Sequence, residues 1–193
     1  NDLYAVINPE EDHQLVFTPI EGAAIAGIFA RREICEGRAG TKAAVVDGIH
    51  GRTYVHFACH GVYNWHNPLT SGLTLADGRL TLDDLQRGVA DLSSARLVTL
   101  SACETGMTDV MFKIGSEEYV GVPAGFMLAG VPCVVSSLWE VPDISTALLM
   151  ERFYRNHLKD GMGIAAALRE AQRWVRDATA REMSLADRWE QIY

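Results

Sequence analysis

Two side chains with reactive chemistry each stand directly after an apolar, strand-like run. His60 follows Tyr54-Val55-His56-Phe57-Ala58-Cys59, and Cys103 follows Arg96-Leu97-Val98-Thr99-Leu100-Ser101-Ala102. A thiolate is a strong nucleophile, and a nearby imidazole stabilises it or carries protons to a leaving group. Parallel strands deliver their C-terminal ends to one edge of a doubly wound sheet, and adjacent strands lie about 5 Å apart. If the two runs are neighbours, imidazole and thiol face each other across one cleft. Gly61 lets a substrate approach the backbone closely. Its N–H and that of Cys103 are candidate donors to the oxyanion of an acyl-transfer intermediate, each such donor being worth about 3 kcal/mol of barrier.

The elements that must position these groups alternate strand-like and helical stretches, which predicts an α/β fold with a largely parallel central sheet flanked by helices. A first strand spans Leu3 to Ile7 and stops at Asn8-Pro9. A helix near Ile20 to Ala30 is small and apolar enough to lie flat on a sheet, and Thr41 caps a short helix running to Ile49. A third clear strand runs from Cys133 to Trp139. Short helical sequence follows the cap Thr81, with Asp83-Asp84 in its first turn, where carboxylates suit the helix dipole. Further helices are expected from Glu117 to Ala129, closed by Gly130, from Asp143 to Leu158, and from Gly163 to about Ala178. Gly61 to Gly78 is the longest stretch expected to be irregular.

With 193 residues, 48% of them hydrophobic and 22% charged, the chain is sized for one domain with a proper core. A net charge of −8, with scattered arginines, argues against nucleic-acid or anionic-membrane binding. No apolar run reaches the roughly 20 residues needed to cross a bilayer, and Asn1-Asp2-Leu3-Tyr4 does not resemble a signal peptide. The missing initiator Met suggests an excised domain spanning 1–193. Cys35, Cys59, Cys103 and Cys133 lack CxxC spacing, which points to reduced thiols in a cytoplasm.

Competing chemistries are weaker. Strand alternation turns Cys59 to the opposite face from His60, so Cys59 belongs to the core. His56 shares His60's parity but lies about 13 Å back along the strand, the place of a satisfied structural histidine. The same alternation splits any zinc set drawn from His56, Cys59, His60, His66 and Cys103, so no metal is expected. Asp109 stands where a phosphatase-type loop needs Arg, and Gly121, Gly125 and Gly130 do not follow a strand, which excludes a phosphate-binding turn there.

His56-Phe57-Ala58-Cys59-His60-Gly61 and Ser101-Ala102-Cys103-Glu104-Thr105-Gly106 together resemble the CHAT family, caspase-like peptidase domains found with TPR arrays. Five further stretches resemble the family in order. They are Asn67-Pro68-Leu69 with Ser71-Gly72-Leu73, then Leu80 to Leu85, Gly121 to Gly130, Ser137-Leu138-Trp139 with Val141 and Asp143, and Ala165 to Ala171. The resemblance implies a three-layer caspase-like fold, a His60/Cys103 dyad and peptide-bond hydrolysis without a cofactor. It implies a protein substrate cut at few sites and an accessory TPR or sensor region on the same polypeptide. The family usually runs on past a tryptophan-containing segment into a final strand, and with Trp189 close to Tyr193 that element is expected to be missing or supplied by a neighbouring domain. A catalytically idle interaction module on this fold is the main rival, and acyl transfer by the same nucleophile is a second.

Trp139, Glu140 and Asp143 follow the third strand at the same edge as the dyad. They could line the pocket for the side chain before the scissile bond, Trp139 as an apolar wall and the two acids as partners for Lys or Arg. Separase, which is similar at Leu138-Trp139, Val141 and Asp143, cuts after arginine. Alternatively, Asp143 simply caps or charges the first turn of the following helix.

Overall fold

The chain opens on β1 (Asp2–Ile7), buried in all but its first residue, as befits a strand covered on both faces. The computed structural model describes residues 1–12, 15–64, 66–101, 121–138 and 141–179. After β1 come α1 (Thr18–Ala26), β2 (Arg31–Glu36), α2 (Lys42–Ile49) and β3 (Tyr54–Ala58). Next are β4 (Gly61–Val62), β5 (Gly72–Leu75), β6 (Gly78–Thr81), α3 (Leu82–Gln86) and β7 (Leu97–Leu100). The described elements end with α4 (Val122–Leu128), β8 (Val134–Ser136), α5 (Asp143–Leu158) and α6 (Ile164–Asp177). Among the described residues, no helix is long and apolar enough to cross a membrane.

The central sheet has the order β2-β1-β3-β7-β8 with every neighbour parallel. Alternation along its strands divides the core in two. Tyr4, Val6, Val55, Phe57, Val98 and Leu100 face Val45 and Ile49 of α2, Leu82 and Leu85 of α3, and Phe126 of α4. Leu3, Ala5, Ile7, Tyr54, Ala58, Leu97 and Val135 face Ile25 of α1, Met150, Phe153 and Tyr154 of α5, and Ala167 and Ala171 of α6. The result is the expected three-layer α/β architecture. Each large apolar side chain buried this way contributes about 1.5–3 kcal/mol.

Several local expectations hold. Thr41 caps α2 by accepting from Ala44 N, and α5 spans Asp143–Leu158 as its periodicity predicts. Thr81 and Asp84 form a capping box at α3. Gly130 takes φ 97, the left-handed conformation expected just beyond a helix end. Residues 117–120 of the helix expected to end at Ala129 lie outside the described residues.

Two expectations are corrected, and one strand was not anticipated. The first helix begins at Thr18 and ends at Ala26, because Pro19 suits a first turn and the chain turns at Gly27. Arg31–Glu36 is the edge strand β2, four of whose first residues are exposed and charged or β-branched; charge on an edge deters pairing with other chains. The stretch from Gly61 to Gly78 is irregular only in part. β4, β5 and β6 form an antiparallel sheet, tied to the body by Ala76 N donating to Gly40 O at 3.0 Å and Lys42 N to Asp77 Oδ1 at 2.7 Å.

Candidate functional site

β3 and β7 are immediate neighbours, with His56 opposite Thr99 and Phe57 opposite Leu100. The ladder runs on one step past β7, where Ser101 N donates to Phe57 O at 2.8 Å. Cys103, Trp139 and Glu140 lie outside the described residues, whereas His60, Gly61 and Asp143 are described.

His60 stands just past the end of β3 with its side chain 30% exposed. Its Nε2 lies 2.8 Å from Oδ2 of Asp12, in the turn that follows β1. That partner was not singled out from the sequence, where Glu10-Glu11-Asp12 resembles an ordinary solvated turn. Glu11, Asp12 and Glu36 line one side of an open cleft of about 630 Å³ beside the β1 end, with Leu15, Val16 and Pro19 supplying apolar surface.

His60 O accepts from Thr74 N at 2.8 Å. In the alternation of an antiparallel ladder this makes Gly61 and Leu73 a non-hydrogen-bonded pair. The Gly61 N–H therefore points away from β5. Cys59 is buried on the opposite face, as expected, and burial pushes its thiol well above the usual range.

Asp143 occupies the first turn of α5, with Pro142 rather than Asp143 at the cap position. Its Oδ2 accepts from Phe17 N at 2.6 Å, which ties the start of α5 to the start of α1. Burial raises its carboxyl above the ordinary carboxylate value, and Glu21 adds to the rise; the Phe17 N–H and His60 pull the other way. A carboxyl raised by folding holds its proton more tightly in the native state. Its contribution to stability is full below the ordinary carboxylate range and is lost as pH rises through the raised value. Asp143→Asn keeps an acceptor for Phe17 N. In thermal unfolding scans it should match the wild type below about pH 4 and be the more stable protein at pH 7. A lower midpoint for the variant at pH 7 would mean that attraction to His60 outweighs burial.

Beneath the site, His56 is fully buried, but it is not the satisfied structural histidine expected. Its Nε2 lies 2.9 Å from Oε1 of Glu21, also fully buried, yet out of line for a hydrogen bond. Its Nδ1 lies 3.4 Å from the Tyr154 hydroxyl, which donates to Thr99 Oγ1 at 2.8 Å. Glu21 was missed because α1 looks small and apolar. The available signal was its place with Thr18, Gly22, Ile25 and Ala26 on the inward stripe of that helix.

The family model of the CHAT domain matches residues 4–191. A search of curated protein sequences finds no match.

Proposed function

Since the chain belongs to the CHAT family, whose domains are caspase-like and related to peptidases, we propose that it is a cysteine endopeptidase with Cys103 as nucleophile and His60 as proton carrier. One observation carries the reading. Partners in the β3–β7 ladder are 43 residues apart in sequence (His56 with Thr99), which is the separation of His60 and Cys103. This equal spacing supports a reading in which neighbouring parallel strands lead to an imidazole and a thiol at one edge of the sheet.

In this mechanism the Cys103 proton passes to His60, and the thiolate attacks the scissile carbonyl carbon. The N–H groups of Gly61 and Cys103 hold the resulting oxyanion. Collapse breaks the C–N bond, and the leaving amine takes the proton from His60. A water then gives a proton to His60 and attacks the thioester, releasing the acid and restoring the thiol. No cofactor is required. Thiol chemistry of this kind suits a reducing cytoplasm.

The substrate in this reading is a protein with Lys or Arg before the cut, recognised by Glu140 and Asp143 beside Trp139, and a TPR or sensor region on the same polypeptide regulates the cutting. Ser137, Leu138 and Val141, which flank Trp139 and Glu140, line an apolar cavity of about 600 Å³ that would suit an apolar side chain instead. Profiling a peptide library with wild type, Glu140→Gln and Asp143→Asn separates the two. A basic preference weakened by either change is expected; an apolar preference in the wild type sinks the acidic pocket.

The function itself is tested with electrophilic peptide probes. Labelling of Cys103 that disappears in Cys103→Ala is expected. A chain that no peptide probe labels at Cys103, with or without its accessory region, would be an idle interaction module.

A further inference from the structure

We propose that Asp12 is the positioning residue of the dyad: it holds His60 in the tautomer whose proton sits on Nε2, leaving Nδ1 to take the proton of Cys103. This rests on the peptidase reading above and adds a role to it. An imidazole has two nitrogens, and a carboxylate can only accept. With Asp12 Oδ2 at 2.8 Å from Nε2, the proton of a neutral ring belongs on Nε2 and the lone pair on Nδ1. When the thiol proton moves to Nδ1, the ring becomes an imidazolium and the Nε2–H···Oδ2 contact becomes an ion pair.

A pair in which ring and carboxyl are each about a third exposed, 30% and 34%, would contribute little if both side chains were free to move. Here the backbone of Asp12 is clamped. Asn8 Nδ2 donates to Asp12 O at 3.0 Å, and Asp12 N donates back to Asn8 Oδ1 at 2.8 Å. Glu11 N donates to Asn8 O at 3.0 Å, closing the turn. Asn8 N in turn donates to Ala58 O at 2.8 Å, so the clamp is fastened to the strand that carries His60. Among the described residues, Asn8 and Glu11 are the two non-glycine residues with positive φ, 41° and 55°. Such backbone is costly and persists where its surroundings over-determine it, often at functional sites. Glu11, held in that conformation, turns to Arg38 at 2.8 Å, while the next residue turns to His60.

The test uses the full chain and two readouts. In steady-state cleavage of a peptide that the wild type cuts, Asp12→Asn should lower kcat about 10²-fold, the scale of a lost acid–base arrangement, with KM little changed. Asp12→Glu should recover part of the loss. Asn8→Gly keeps the backbone freedom that φ 41° needs but removes both side-chain bonds to Asp12, and should lower kcat in the same direction by less. Wild-type kcat in Asp12→Asn overturns the proposal. The second readout needs no turnover: nitrogen NMR of histidine-labelled chain in the Cys103→Ala background, at a pH where the ring is neutral, with the His60 signals identified by their loss in His60→Ala. An Nε2–H tautomer that Asp12→Asn converts to a mixture is expected. An Nδ1–H tautomer, or one that ignores Asp12, overturns the assignment. Failure of the peptidase reading looks different, since turnover would then not depend on Cys103 at all, and the NMR result alone would judge Asp12.

Discussion

Replacing Cys103 with Ala should remove turnover altogether, and His60→Ala should reduce it by at least about 10²-fold. The asymmetry follows from the chemistry. Without sulfur no thioester forms, whereas without imidazole a residual thiolate fraction still attacks. Neither change should unfold the domain. His60 lies at the rim of the sheet, partly exposed, and the strand before it is held by Val55, Phe57 and Ala58, all fully buried. None of the described cysteines is placed to take over. Cys35 and Cys59 are buried, and burial raises the thiols of Cys59 and Cys133, which suppresses their thiolate forms. Steady-state assays on the two variants, with circular dichroism to check folding, make the measurement. Cleavage that persists in Cys103→Ala would move the nucleophile elsewhere.

The second large effect is expected one layer down, at Glu21 and His56. Both side chains are fully buried, and neither Glu21 oxygen nor His56 Nε2 has a hydrogen-bond partner among the described residues. Taking such groups out of water is expensive, and each is tolerated because the other is 2.9 Å away. Removing one alone, as in Glu21→Leu or His56→Phe, leaves its partner buried without compensation and should cost about 3–5 kcal/mol. Replacing both by apolar residues of similar volume, Glu21→Leu with His56→Phe, should recover most of that loss. Urea unfolding of the four proteins closes a double-mutant cycle. Additive losses would show that the two groups do not depend on each other. The pair also reaches the site, since Glu21 helps to raise the Asp143 carboxyl. Glu21→Ala should therefore let Asp143 ionise more readily.

The helices and inner strands were legible because their patterns are long and their faces distinct. α5 was bounded to the residue, and the runs leading to His60 and Cys103 contain β3 and β7. β2 escaped because Arg31-Arg32-Glu33 at an exposed edge lacks alternation, and only Cys35 in that strand is buried. β4, β5 and β6 escaped because strands of two to four residues are too short to show a period. Asp12 and Glu21 escaped for a different reason. Each acquires its meaning from a histidine on β3, and only the β1–β3 pairing and the close seating of α1 bring those partners together. At Gly22, a Cβ would come within 2.8 Å of Ile7. A single glycine thus sets how near Glu21 comes to the sheet.

Strand order also bears on how the molecule assembles. β1, β2 and β3 lie within residues 2–58 and are joined by two crossovers, whereas β7 begins only at Leu97. The amino-terminal half, emerging first from the ribosome, carries His60 with Asp12 already beside it. Cys103 follows only after β7 has docked. If the dyad acts as proposed, its two halves are delivered by early and late stages of folding. A chain still being made would then hold an oriented imidazole with no thiol to serve, and be harmless to its neighbours until its own sheet is complete.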